Sequence, residues 1–237
     1  MPMKTSIDLS EESEIYFIEN EVVNLMPGES MVWELSGPAG TKYESKLEFQ
    51  GGGGHSHGIG STSSRAVGKI SPKSGTIKNT RKIEQTFKAG TVCGIVKDTT
   101  VMGNTVIVKT YHVAIPGLVP FKKVKGVILV GETDKHPSNH WGTPASIEAI
   151  KSIGEAFHKK FKKHIYINDM SLPTGGVFDI KGNFTHPHKT HKEGRHVDIN
   201  WSSMTEEEAV WFEKKSTEIG FKVDLHGQPK HWHLRFG

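Results

Sequence analysis

Short runs of alternating apolar and polar residues fill the first half of the chain. Turn signals separate them, such as Pro27-Gly28 and the Gly103-Asn104 pair between the last two runs. The runs that we interpret as strands are residues 15–18, 21–25, 30–35, 43–49, 83–87, 91–96 and 105–115. Many short strands at this spacing predict an all-β domain, and we expect an immunoglobulin-like β-sandwich.

Helical periods appear only in the second half. Apolar residues in 146–163 recur at the spacing that buries one face of a helix. A second helix is predicted over 205–219, where Thr205 and Glu208 form a capping box and Gly220 ends the helix. Strands are predicted at residues 124–131, 165–170, 221–225 and 232–236, the last two as an antiparallel pair. This pattern predicts an α+β domain with an antiparallel sheet.

A Pro- and Gly-containing stretch, residues 116–120, separates the two patterns. Such stretches are typical domain boundaries, so we expect a β-sandwich over 1–120, as an accessory or binding domain, and a second domain over 121–237. Inside the first half, residues 51–58 read G-G-G-G-H-S-H-G. His55 and His57 could bind a metal or reach the neighbouring cleft. We favour a flexible loop with two solvated histidines, continuing as a long loop to Lys82.

Composition and charge exclude several classes. The 237 residues carry a net charge of +4 with a pI near 9.0, and no Lys/Arg-rich block is interleaved with aromatics, so we expect no nucleic-acid partner. No apolar stretch is long enough for a transmembrane helix, and residues 1–14 have no signal-peptide pattern. The single cysteine, Cys93, is expected to be a small buried side chain. The mildly basic surface suits an anionic polymer.

Histidines concentrate in H-P-H-K-T-H-K-E-G-R-H-V-D, residues 186–198, and in H-W-H-L-R-F-G at residues 231–237. Residues 197–200 alternate as a half-buried strand, which places Asp198 on the polar face. His191 precedes that strand across a turn at Gly194, and in 231–233 both histidines share a strand face. Two adjacent strands would therefore bring His191, Asp198 and His233 around one ion.

Imidazole and carboxylate are ligands that suit zinc. Three protein ligands leave a fourth position open, which is the arrangement of a catalytic zinc site. His231, on the same face as His233, is then placed to act as a general base.

Residues 168–176 (N-D-M-S-L-P-T-G-G), 188–199 (H-K-T-H-K-E-G-R-H-V-D-I) and 231–235 (H-W-H-L-R) resemble the penicillin-insensitive murein endopeptidases. More broadly they resemble the group of lysostaphin-type enzymes, D-Ala-D-Ala metallopeptidases and the hedgehog domain. The resemblance covers roughly the last hundred residues. The pattern S-x-H-x-x-G-x-x-x-D is met by His191, Gly194 and Asp198, with Lys189 in place of the serine.

The resemblance implies that His191, Asp198 and His233 bind zinc and that His231 is the catalytic base or transition-state donor. His188 matches a further histidine that contacts metal in some relatives. No counterpart of the extra ligands of a second metal is evident, so one zinc ion per chain is expected.

We therefore predict a zinc-dependent murein endopeptidase that cleaves peptides of peptidoglycan in the periplasm or outside the cell. The alternative is a non-catalytic, zinc-containing module that binds the cell wall or peptides. Asp169 is a candidate to support a ligand histidine. The candidate substrate-binding residues are Arg195, Arg235, His136 and His140. The bond cleaved, the export route and the oligomeric state stay open.

Overall fold

The fold is known from a computed structural model that describes residues 4–7, 16–19, 22–79, 81–185, 191–227 and 230–237. The chain divides into two compact units. The first contains Met1–Gly52 and His57–Ala114, and the second contains Gly53–Ser56 and Ile115–Gly237. Within the described ranges, no helix has the length and apolar character needed to cross a membrane.

Strands dominate the first unit. Its elements are β1 (Lys4–Ile7), β2 (Tyr16–Glu19), β3 (Val23–Leu25), β4 (Ser30–Ser36), β5 (Lys42–Gly51), α1 (Ser64–Val67), β6 (Lys69–Ser71), β7 (Ser74–Thr76), β8 (Lys82–Lys88), β9 (Gly94–Met102) and β10 (Thr105–Val113). They form one sheet of order β1-β4-β8-β6 and another of order β2-β10-β9-β5-β7, in which β3 also pairs with β10.

Large side chains from both sheets meet in the core of this unit. Phe87 of β8 stacks on Tyr111 of β10 with ring centroids 3.8 Å apart. Lys109 forms a fully buried ion pair with Asp98 at 2.8 Å. Burial raises the pKa of Asp98 and lowers the pKa of Lys109, and the pairing opposes both shifts. The two sheets therefore face each other around an aromatic core that also contains one charged pair.

The β-rich character predicted for the first half is confirmed, whereas the immunoglobulin-like topology stays a prediction. Cys93 is buried, as expected. The long loop predicted up to Lys82 is wrong in part, because it contains α1, β6 and β7. These elements are only three or four residues long, too short for a sequence period to show.

The second unit is an α+β arrangement. Its elements are β11 (Val119–Pro120), β12 (Val127–Leu129), β13 (Trp141–Gly142), α2 (Pro144–Phe161), β14 (Ile165–Asp169), β15 (His196–Asn200), α3 (Glu206–Ile219), β16 (Phe221–His226) and β17 (His231–Phe236), with a 3-10 turn at His191–Glu193. The main sheet has the order β12-β14-β15-β17-β16, and β11 pairs with β13.

Both helices bury one face against the core of this sheet. Ile150, Ile153 and Phe157 of α2 join Phe212 of α3 and Ile199 of β15 in one apolar cluster. The predicted capping box of α3 is present: Thr205 accepts from the backbone N–H of Glu208, and Glu208 accepts from the N–H of Thr205. Gly220 ends α3 in the left-handed conformation, φ 106°.

The main sheet is mixed, which corrects the expectation of an antiparallel sheet. β12 and β14 pair in parallel because α2 provides the crossover between them, whereas the other pairs of that sheet are antiparallel. Segment 115–120 is grouped with the second unit rather than ending the first. Ile115 donates its N–H to the Thr174 carbonyl, and Phe121 belongs to the apolar cluster.

Candidate functional site

Two neighbouring antiparallel strands carry the core of the candidate site. Asp198 of β15 lies directly opposite His233 of β17. Val197 and Ile199 point to the other face and are fully buried. Because side chains alternate along a strand, burying these two aliphatic residues presents Asp198 toward the opposite side, as the alternation predicts.

The 3-10 turn before β15 places His191 next to Asp198 and His233. The turn is closed by Gly194 at φ 70°, where a Cβ atom would lie 2.4 Å from Leu118 and 2.9 Å from the Cα of Gly142. Ser146 of α2 donates to the Gly194 carbonyl at 2.7 Å. Gly176 also donates to the carbonyl of Lys192, so the turn is anchored on both sides. The predicted need for glycine thus has a steric cause.

The structure brings His191, Asp198 and His233 together in the interior. His191 Nε2 lies 3.3 Å from Asp198 Oδ2, and His233 Nδ1 lies 2.7 Å from Asp198 Oδ1. The three residues are 1%, 4% and 8% exposed. Burial alone would raise the pKa of the Asp198 carboxyl, but hydrogen bonds from His191 and His233 outweigh it and lower this pKa below its usual range. The group is therefore an anionic pocket lined by imidazole nitrogens.

His196 supports this group from one side. Its Nδ1 lies 2.9 Å from His233 Nε2, the ring nitrogen that faces away from Asp198. Burial lowers the pKa of His196 to about 4, helped by charge on His233 and His191. His196 is therefore neutral near pH 7 and can accept a hydrogen bond from His233.

His231 lies beside the group and is more accessible. Its Nε2 is 3.8 Å from Asp198 Oδ2, and its side chain is 19% exposed. The ring of His226, from β16, lies 5.2 Å from the His231 ring and stacks on His233 at 5.0 Å. Partial exposure gives His231 access to solvent, which the more deeply buried histidines lack.

The other candidate residues occupy varied positions. Arg195 and Arg235 are exposed at the ends of β15 and β17. Asp169 lies opposite Asp198 in the sheet and accepts a hydrogen bond from Asn139 at 2.7 Å. His188 lies outside the described residues.

Two histidines expected at a substrate cleft are instead buried. His140 is 4% exposed, and its Nε2 lies 3.2 Å from the carbonyl oxygen of Ile167. His136 is 2% exposed and packs against His55 and Asp179. The substrate-binding roles of His136 and His140 stay predictions, whereas the prediction that His55 is solvated is wrong, because this residue is 5% exposed.

The comparison with known families covers this same part of the chain. A family model described as penicillin-insensitive murein endopeptidase matches residues 133–230. The residues that match the penicillin-insensitive murein endopeptidase family therefore all lie in the second unit. This confirms the resemblance read from the C-terminal motifs and supports a peptidase that acts on peptidoglycan, which is consistent with the cell envelope as the place of action. No curated protein matches the chain.

Sequence reasoning missed His196 and His226 as neighbours of the site. His196 shares a strand face with Asp198, so the alternation used for Asp198 carried a signal for it. His226 comes close through the pairing of β16 with β17, where it lies opposite His231. That pairing register is a long-range property that no local pattern in residues 221–226 indicates.

Proposed function

We propose that the second unit is a zinc-dependent murein endopeptidase with the metal held by His191, Asp198 and His233. The observation that carries the proposal is the buried convergence of these three side chains, of which His191 and Asp198 lie within the matched residues 133–230 and His233 follows three residues after them. Tetrahedral zinc with bonds of about 2.0–2.1 Å separates its ligand atoms by about 3.3 Å. The spacing of 3.3 Å between His191 Nε2 and Asp198 Oδ2 fits this value, and His233 Nδ1 contacts the other carboxylate oxygen, Oδ1, at 2.7 Å.

The proton positions on His233 also fit a metal ligand. To bind through Nδ1, His233 must carry its proton on Nε2. The neighbouring atom is His196 Nδ1, 2.9 Å away, and it accepts this hydrogen bond when the neutral His196 ring carries its own proton on Nε2. His196 thereby selects the tautomer and fixes the ring of the ligand, a role typical of residues behind metal-bound histidines.

A bound zinc ion supplies a water of lowered pKa and polarises the carbonyl of the scissile peptide bond. Residues of the chain itself provide proton transfer, substrate binding and support of the site. His231, on the strand face of His233 and partly exposed, accepts or returns a proton or stabilises the developing oxyanion. Arg195 and Arg235 are exposed and suited to a carboxylate of the stem peptide. Asp169 is held by Asn139 and serves as support for the site.

The test separates catalysis from metal binding at His231. His231→Ala should keep the zinc content of the wild type and lose roughly 10²-fold or more of murein hydrolysis, the effect of one acid–base or oxyanion group. Released muropeptides from purified sacculi are quantified by mass spectrometry. His164→Ala, a partly buried histidine outside the described site, is the matched control and should keep full activity.

The alternative function, a non-catalytic module that binds the cell wall, predicts no murein hydrolysis by either protein. In that case, the zinc-loaded wild type and His231→Ala are equally inert on every murein tested, while both bind sacculi. If His231→Ala loses its zinc, His231 is a ligand and the role proposed for it is wrong.

A further inference from the structure

A second group of metal-binding side chains lies in the interior of the second unit. It includes His55, His136 and Asp179, which are 5%, 2% and 0% exposed. They come from three separated stretches: segment Gly53–Ser56, the turn at residues 133–136, and the loop after Phe178. The mechanism proposed for the murein peptidase uses none of them.

The atoms that face one another have metal-site spacing. His136 Nε2 lies 3.3 Å from His55 Nδ1 and 3.3 Å from Asp179 Oδ1, and His55 Nδ1 lies 3.7 Å from the same Oδ1. A triangle with these sides has a circumradius of about 2.0 Å, so one point lies a zinc bond length, about 2.0–2.1 Å, from all three atoms.

Neighbouring groups hold the carboxylate in this orientation. The other oxygen of Asp179, Oδ2, accepts backbone N–H groups of Asn183 at 2.5 Å and Phe184 at 2.8 Å. Oδ1 is thereby turned toward the two histidines. Outer hydrogen bonds of this kind are what orient ligating carboxylates in metal sites.

The two imidazoles are fixed by packing. His55 meets the ring of Phe184 edge-on at 5.7 Å, and His136 meets Phe178 edge-on at 4.9 Å. Ser56 donates its N–H to the Lys135 carbonyl at 2.9 Å, which joins the two histidine-bearing segments. At Gly54, a Cβ atom would lie 2.5 Å from Pro173, so this segment passes too close for another side chain.

We propose that His55, His136 and Asp179 bind a second divalent transition-metal ion of the zinc class, with a structural role. Two imidazole nitrogens and one carboxylate oxygen form a donor set that suits zinc rather than calcium or magnesium. The ion would tie segment Gly53–Ser56 to two loops of the second unit. Phe178 contacts His136 and also faces the ring of His191 at 6.5 Å, so the second ion would also steady one wall of the first site.

Metal stoichiometry of the full chain tests this inference. Protein loaded with Zn²⁺ and dialysed against metal-free buffer should contain two zinc ions per chain by elemental analysis. His136→Ala should contain one and His233→Ala should contain one, whereas His112→Ala, which alters a histidine of β10, should keep two. Asp179→Asn, which changes one atom of the carboxylate and little of the packing, provides a gentler variant that should also contain one.

The competing account is a hydrogen-bonded cluster without metal. It predicts one ion in the wild type, one in His136→Ala and none in His233→Ala, and that result overturns the proposal. If His136→Ala fails to fold, the wild type still decides, because titration with a chelator must then release two ions per chain. Should His233→Ala keep two ions while His136→Ala keeps one, the second site stands and the ligand set of the proposed peptidase fails.

Discussion

At the scale of single residues, the site depends on which ring nitrogen carries a proton. Asp198 accepts hydrogen bonds from His191 and His233 Nδ1, whereas a metal bound at that Nδ1 would require the His233 proton to lie on Nε2, beside His196. Each contact restricts the next, so that a buried carboxylate stays ionised and a buried imidazole keeps one orientation. In this arrangement, residues that never touch a substrate still determine how well the ligands bind zinc.

His196 provides the residue-scale prediction. His196→Ala removes the acceptor of His233 Nε2 and should weaken zinc binding by roughly 10–100-fold, the usual effect of losing a hydrogen bond behind a ligand histidine. His196→Gln keeps an acceptor oxygen and should lose less. Zinc affinity is measured by competition with a chromophoric chelator. Equal zinc affinities in the wild type and both variants would show that His196 does not contribute to zinc binding.

At the scale of elements, the pairing of β15 with β17 places the ligands. Shifting this register by one residue would turn Asp198 or His233 to the apolar face, so the aliphatic residues between them also specify the site. The alternation at residues 197–200 and 231–233 was visible in the sequence. The position of His191 depends instead on the turn around Gly194, whose close packing against Leu118 could not be read from the sequence.

Gly194→Ala is the element-scale prediction. The new Cβ atom meets Leu118 and Gly142 at a positive φ, so the turn has to move and His191 moves with it. We expect a lower melting temperature and reduced zinc content. Gly117→Ala is the matched control, because φ is 79° there but nothing lies within 4 Å of the added atom. It should show only the backbone cost, about 1–3 kcal/mol. Equal zinc loss in both variants would mean that strain, not the contact, is responsible.

At the scale of the whole molecule, the sequence predicted two units and the character of each half. The helices over 146–163 and 205–219 appear as Pro144–Phe161 and Glu206–Ile219, because their apolar periods are long. For residues 51–58 the sequence allows metal binding by His55 and His57 but favours a flexible loop. The glycines of this segment suggest conformational freedom of the backbone. Only the folded chain shows that His55 lies close to His136 and Asp179, two residues far away in sequence. The one-ion expectation followed from local motifs, which carry no information on such long-range contacts.

The boundary between the units gives the molecule-scale prediction. A fragment of residues 115–237 should be more stable than one of residues 122–237. The shorter fragment lacks β11, which pairs with β13, and it also lacks the buried Phe121. Replacing a buried phenylalanine by alanine alone lowers the free energy of unfolding by roughly 3–5 kcal/mol. Thermal unfolding of both fragments measures the difference. Equal melting temperatures would mean that residues 115–121 do not stabilise the second unit, and the boundary would then lie close to residue 120, as predicted from the sequence.

The most direct test of the central claim is an anomalous difference map at the zinc edge from crystals of the zinc-loaded chain. The account predicts a peak about 2.0–2.1 Å from His191 Nε2, an Asp198 oxygen and His233 Nδ1. Protein from the same preparation must hydrolyse murein. An active preparation whose map shows no peak among these three side chains would contradict the proposed metal centre.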